Sequence, residues 1–201
     1  MSLWLADKPL VLASKSVSRR ALLQGAGIPI EVLAADIDER GIEANAGLAD
    51  PAAVAVLLAK EKALAVSKRS GQLVIGADQT LALGQRRFSK PIDRDAARAQ
   101  LKALRGHAHA LHSAVAIMRD GKPVFEHCAV VRLVMRAFSD TFLESYLDAA
   151  GDAVTSSVGA YQVEGLGVQL FERIDGDHST ILGLPLLPVL DALRREGALS
   201  T

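Results

Sequence analysis

The sequence predicts an α/β fold with a mixed sheet, and two observations carry that reading. Short apolar runs of strand length recur between stretches of helical spacing along the 201 residues. One adjacent pair of runs, Ser113 to Met118 and Val124 to Arg136, flanks Arg119-Asp120-Gly121, whose Asp-Gly step suits a hairpin. A hairpin pairs its strands antiparallel, whereas strands joined through helices pair in parallel, so the sheet is mixed and not purely parallel.

The elements follow in order. Pro9 to Ala13 is a short apolar strand that gives way to Ser14-Lys15-Ser16-Val17-Ser18-Arg19-Arg20 and then to the helical run Ala21-Leu22-Leu23, stopped by Gly25 and Gly27. A strand, a hydroxyl-rich turn and a helix start with two arginines can cradle a phosphate through free N–H groups, serine hydroxyls and a bidentate guanidinium. The same residues also suit a Ser-capped helix with exposed arginines. Neither the Walker A nor the dinucleotide glycine pattern is present. Ile30 to Leu33 forms a second strand, and the acidic loop Asp36-Ile37-Asp38-Glu39 after it suits either solvent or a divalent cation held through water.

Asp50-Pro51 starts a helix with an N-cap acid and a first-turn proline, and the helix runs from Ala52 to about Lys68 and ends at Gly71. At about 100° per residue, Val54, Leu57, Leu58 and Ala65 share a face, with Lys62 on its border and Glu61 near its middle. From that border Lys62 can lean towards a pocket or snorkel to solvent. Gly84 to Arg87 reads as a turn before Ser89-Lys90-Pro91, and Asp93 caps a helix from Arg94 to Arg105, stopped by Gly106. Pro91 biases Lys90 to an extended backbone, which suits a lysine placed for an anion as well as an ordinary surface residue. His107 and His109 share a face if this stretch is a strand, and His112 follows, but no third ligand stands at metal spacing. Ser139-Asp140 begins a helix that reaches Ala150 and stops at Gly151. Val158 to Gly167 is a glycine-punctuated loop or strand, Val168 to Phe171 a strand, Gly176 to Thr180 a polar loop, and Gly183-Leu184-Pro185 leads into a last amphipathic helix from about Leu186 to Glu196.

Composition narrows the function. Half the residues are hydrophobic, enough for a sizeable core in one domain or two small lobes sharing a sheet. The 23 Lys plus Arg balance the 23 Asp plus Glu, so the surface as a whole draws neither nucleic acid nor anionic lipid, and any anion must be held by a local cluster. No apolar run approaches the roughly 18 residues of a membrane span and no leader pattern opens the chain, so it reads as soluble and cytoplasmic. A single cysteine, Cys128, excludes an internal disulfide and a multi-cysteine zinc site.

The stretch that organises the rest is Leu73-Val74-Ile75-Gly76-Ala77-Asp78-Gln79-Thr80. Three bulky apolar residues read as a buried strand, and the small pair Gly76-Ala77 ends it and admits a close approach to its backbone. Asp78 then stands where the strand runs out: either it caps a turn, or it is a carboxylate held by the core, suited to act as a general base or a metal ligand.

Four separated blocks, Leu10-Val11-Leu12-Ala13-Ser14-Lys15-Ser16, Gly76-Ala77-Asp78, Lys90-Pro91 and Gly183-Leu184-Pro185, together resemble the Maf family of nucleoside triphosphate pyrophosphatases, historically called septum formation inhibitors. The resemblance implies a Maf/ITPase-like fold, an elongated mixed sheet flanked by helices in two lobes around a central cleft. It implies hydrolysis of the α–β phosphoanhydride of a nucleoside triphosphate to the monophosphate and pyrophosphate, with a divalent cation, Mg²⁺ or Mn²⁺. On this carry-over Asp78 accepts the proton of the attacking water, Ser14, Arg19, Lys62 and Lys90 contact phosphates, and Glu39 joins Asp78 near the metal. The partner is a small-molecule nucleotide, with no nucleic acid or membrane, and a homodimer is common among similar proteins.

Positions 18, 79 and 164 separate branches of that family. Gln79 and Glu164 resemble the branch acting on 7-methyl-GTP, whereas the pyrimidine branch, acting on dTTP and UTP, has Thr and Gln there. A carboxylate at 164 can accept from a guanine edge and favours the positive charge of a 7-methylated purine. At two positions the chain departs from that branch: Ser18 replaces an aromatic that would stack on the base, and Val17 replaces a proline. The alternatives are a pyrimidine pyrophosphatase acting on dTTP and UTP or, from a different class, a nucleotide-binding regulator of cell division whose hydrolysis is incidental.

Overall fold

The computed structural model describes residues 3–201, the side chain at position 69 excepted. In chain order the elements are β1 (Leu10–Leu12), α1 (Val17–Gly25), β2 (Ile30–Val32), α2 (Glu39–Ala46), α3 (Pro51–Ser70), β3 (Leu73–Leu83), β4 (Arg86–Phe88), α4 (Arg94–Leu104), β5 (Ala108–Arg119), β6 (Lys122–Met135), α5 (Asp140–Ala150), β7 (Phe171–Asp175), α6 (His178–Ile181) and α7 (Leu186–Arg195), with short 3₁₀ turns between α5 and β7. The fold is mixed α/β. Among the described residues seven strands form one sheet in the order β2-β1-β3-β5-β6-β7, with β4 paired to β3. β1 pairs in parallel with β2 and β3, while β3–β4 and β6–β7 are antiparallel. The expected hairpin joins β5 to β6 through Asp120 and Gly121, both at positive φ (50° and 74°), the backbone a two-residue turn between twisted strands requires. Among the described residues no helix is long and apolar enough to cross a membrane.

The chain divides into two compact units. The first comprises Met1–Gln79, Ser113–Ala129 and Asp177–Thr201, and the second Thr80–His112 and Val130–Gly176. In the first unit, strand alternation sorts the core into two faces. Leu10, Leu12, Ile75, Ala77, Val115 and Ile117 pack with Leu23 of α1 and with Val189, Ala192 and Leu193 of α7. On the opposite face Val11, Val74, Ala114, Ala116 and Met118 meet Ala55, Ala59, Ala63 and Val66 of α3.

Helix α3 sits on a different face from the one its leucines suggest. Its buried positions are Pro51, Val54, Ala55, Leu58, Ala59, Lys62, Ala63, Val66 and Ser67, a complete i, i+3, i+4, i+7 series. Leu57 and Ala65 are only half-buried and Glu61 moves to the edge. Lys62, expected on the border, instead lies inside the stripe. Small residues win because they let the helix axis approach the sheet: a Cβ added to Gly76 would lie 2.6 Å from the amide nitrogen and 2.9 Å from the Cβ of Ala63. Gly76→Ala is therefore expected to force α3 off the sheet, at about 1–3 kcal/mol, read as a lowered midpoint in thermal or urea unfolding.

That close packing also corrects the reading of Asp78. Gly76-Ala77 does not end the strand: β3 runs for 11 residues from Leu73 to Leu83, so Asp78 is mid-strand and caps no turn. Three further expectations are revised. Glu39 opens a helix, N-capped by Asp38 through its bond to the Gly41 amide at 3.0 Å, where a loop was expected. Residues 166–170 form a 3₁₀ turn and the strand follows at Phe171–Asp175. The polar loop before Gly183 contains α6, capped by Asp177.

In the second unit α4 and α5 are laced by ion pairs: Arg98 bonds both carboxylate oxygens of Glu144, at 2.5 and 2.9 Å, and holds its carboxyl down to about 2. β5 begins at Ala108, five residues earlier than expected, which puts the histidines on or beside a strand. His109 is buried, with Nε2 2.8 Å from the Tyr161 hydroxyl, and burial pushes its imidazole down to about 4.

Candidate active site

The first unit gathers Ser14, Arg19, Glu39, Lys62 and Asp78. Its centre is an ion pair between two nearly inaccessible groups: Lys62 Nζ donates to Asp78 Oδ1 at 2.7 Å, with 9% and 8% of the residues exposed. Both follow from packing. Lys62 falls on the buried stripe of α3, and Asp78 has the strand parity of Val74 and Gly76, which faces that helix. A buried charge needs a partner, and each supplies the other's. Glu39, at the first position of α2, completes a bridge with its Oε1 3.0 Å from the same Nζ.

Burial dominates the electrostatics of Asp78. Desolvation raises its proton affinity above the ordinary carboxylate value of 3.8, Lys62 and Arg19 oppose that rise, and Glu39 adds to it. Oδ1 is committed to the lysine, which leaves Oδ2 as the oxygen to receive a proton. The acid so placed is one whose protonated form is stabilised without removing its neighbouring cations.

Arg19 is held on three sides. Its Nε donates to the Gly183 carbonyl at 2.8 Å, and Nη1 donates to the Ala77 carbonyl at 2.8 Å and to Ser14 Oγ at 3.2 Å. Nη2 lies outside these three bonds. Ala77 immediately precedes Asp78, so the arginine is tied to the strand at the residue beside the acid. Burial depresses the guanidinium's proton affinity and the charges of Asp78 and Glu39 counter it. Ser14, in the turn between β1 and α1, also accepts from the Ser16 amide at 3.2 Å, while Ser16 caps α1 by accepting from the Arg19 amide at 3.3 Å. The hydroxyl-rich turn is therefore both a helix cap and an arginine support.

Gln79 has the opposite strand parity from Asp78 and faces the side of α6 and α7. Its Nε2 is surrounded by Ser113 Oγ at 2.7 Å, the Thr180 carbonyl at 3.1 Å and the Ile181 carbonyl at 3.0 Å. Ser18 lies half-buried in the first turn of α1. Lys90 and Glu164 belong to the second unit and are exposed, Lys90 in the loop between β4 and α4 and Glu164 in a turn after Tyr161.

A divalent cation fits this donor set in one respect: Glu39 and Asp78 both aim a carboxylate oxygen at the position held by Lys62 Nζ. Among the described residues no group of three or more His, Cys, Asp and Glu suits a metal. A hard cation held by one or two carboxylates, with phosphate oxygens and water completing its shell, needs no such group.

Sequence reasoning missed the backbone carbonyls of Ala77, Thr180, Ile181 and Gly183, because every residue has a carbonyl. Ser113 did leave a signal, as a hydroxyl at the start of an apolar run.

The Maf-like protein family matches residues 9–196, and the chain belongs to that family. A nucleoside triphosphate pyrophosphatase of Rhodopseudomonas palustris is 58% identical over 201 residues, 100% of both chains. One from Bradyrhizobium diazoefficiens is 59% identical over 197 residues, 98% of each. A 7-methyl-GTP pyrophosphatase of Brucella abortus is 53% identical over 191 residues, covering 93% of this chain and 96% of its own.

Proposed function

We propose that the protein is a nucleoside triphosphate pyrophosphatase that hydrolyses the α–β phosphoanhydride to a monophosphate and pyrophosphate. The observation that carries this reading is the Lys62–Asp78 pair, a buried carboxylate with raised proton affinity beside the anchored guanidinium of Arg19. Asp78 takes a proton from the attacking water through Oδ2. Arg19, Lys62, Ser14 and Lys90 bind phosphate oxygens, a task for fixed donors because the chemistry spreads charge over those oxygens. A divalent cation, when bound by Glu39 and Asp78, supplies further neutralisation of that charge. Relatives named for the same reaction over the full chain length support the assignment.

Within that class we infer 7-methyl-GTP as the preferred substrate, with Ser18, Gln79 and Glu164 as the selecting positions. The Brucella abortus relative supports it, and Glu164, exposed in its turn, can offer a carboxylate to a cationic purine. A phosphate-release screen with added inorganic pyrophosphatase, run over canonical and methylated triphosphates with Mg²⁺ or Mn²⁺, tests both levels. It is expected to rank 7-methyl-GTP first. Equal or faster release from dTTP or UTP overturns the substrate, and no release from any triphosphate overturns the class.

The raised proton affinity of Asp78 fixes the sign of a pH effect. Its ionised form is the base, so kcat is expected to fall as pH drops through a pKa above 3.8. Over the same window this group's contribution to stability moves the other way: the native carboxyl binds its proton more tightly than the unfolded one, so protonation favours the fold. A kcat–pH profile whose acid limb lies at or below 3.8 contradicts the assignment of Asp78.

A further inference from the structure

Gln79 and Arg19 hang on the same short piece of chain. Two of the three acceptors around Gln79 Nε2 are carbonyl oxygens, which cannot donate, so the amide nitrogen is the atom that faces them and its Oε1 takes no part. The Thr180 carbonyl is a hub: besides Gln79 it accepts from Ser113 Oγ at 2.7 Å and from the Gly183 amide at 3.0 Å. Ser113 is fully buried. Asp177 fixes the other end of the segment by accepting from the Thr180 amide at 3.0 Å and from the Ser179 hydroxyl, and that hydroxyl in turn accepts from the Leu186 amide at 3.1 Å. Three residues past the hub, the Gly183 carbonyl receives Arg19 Nε. Gly183 has φ +93°, and a Cβ there would lie 3.1 Å from Arg19 Nε and 3.2 Å from Nη2.

We propose that residues 177–183 are a positioning element for Arg19, with Gln79, Ser113 and Gly183 as its positioning residues. Gln79 and Ser113 fasten the element to β3 and β5 of the first unit, and Gly183 offers Arg19 a carbonyl while presenting no side chain that would crowd its Nη2 edge. The inference rests on the reading of Arg19 as a phosphate ligand, and it assigns Gln79 a mechanical role besides the choice of base. A guanidinium held in this way loses little freedom on meeting a phosphate, so loosening the element should weaken binding more than turnover.

The test measures binding of the non-hydrolysable α,β-methylene analogues of 7-methyl-GTP, GTP, dTTP and UTP by calorimetry, and kcat at saturating triphosphate, for Gly183→Ala, Ser113→Ala, Arg19→Lys and the double variants. Gly183→Ala is expected to weaken binding about tenfold with kcat within about twofold of the parent, and Ser113→Ala to weaken it about threefold. In the Arg19→Lys background, which lacks the Nε and Nη2 groups, neither change should weaken binding by more than about twofold further. Parental affinity in a folded Gly183→Ala protein, or equal losses in both backgrounds, overturns the proposal. So does a loss of kcat with affinity unchanged. Should Gly183→Ala fail to fold, Ser113→Ala and its double variant decide by the same criteria. A parent that binds the analogue but never releases pyrophosphate sinks the proposed reaction and leaves this inference standing, whereas a parent that binds no analogue sinks both.

Discussion

Asp78→Asn is expected to cut kcat by roughly 10²–10⁴ while nucleotide affinity stays within about threefold. The substitution is nearly isosteric, and an asparagine oxygen can still accept from Lys62, so the phosphate-binding groups keep their places. Glu39 remains to balance the lysine. What is lost is the capacity to take a proton from water. A protein that only binds nucleotide has no use for a base at this position, and for such a regulator the variant would be indistinguishable from the parent in any residual turnover. Parallel calorimetry and pyrophosphate-release assays separate the outcomes.

Lys62→Met carries the second large effect, and it falls on stability as well as rate. Removing one member of a buried pair leaves the other charge uncompensated, which costs about 3–5 kcal/mol. The pH profile moves with it: without the ammonium, the attraction that restrains the proton affinity of Asp78 is gone and its acid limb shifts to higher pH. Combining Lys62→Met with Asp78→Asn is expected to recover most of the lost stability, because a neutral amide in the same pocket no longer needs the cation. Urea unfolding of the two single variants and the double variant measures the coupling. Additive losses would show that the pair is not the buried unit described.

How far the sequence foretold this site can be judged residue by residue. The α/β class, the mixed sheet and the Asp120-Gly121 hairpin were legible because they rest on local spacing and turn chemistry. The acid and its cations were legible as residue types in blocks. The environment of Lys62 was not, because helical spacing points to the face with the largest apolar side chains, and the buried face of α3 is chosen by how closely alanines and Gly76 let helix and sheet approach. Asp78 reads as a strand-end acid for the same reason: a Gly-Ala step suggests a stop, whereas the helix above it demands small residues within a continuing strand. The carbonyls that hold Arg19 and Gln79 come from residues 58 to 164 positions away in sequence, and nothing local announces them.

The claim on which the account depends is the position of bond cleavage, and product analysis by ³¹P NMR of a triphosphate turnover reads it directly. The expected spectrum shows nucleoside monophosphate and pyrophosphate appearing together in equal amounts, and both forming at least about a hundredfold more slowly with Asp78→Asn. Nucleoside diphosphate with orthophosphate would place the chemistry at the β–γ bond and contradict it.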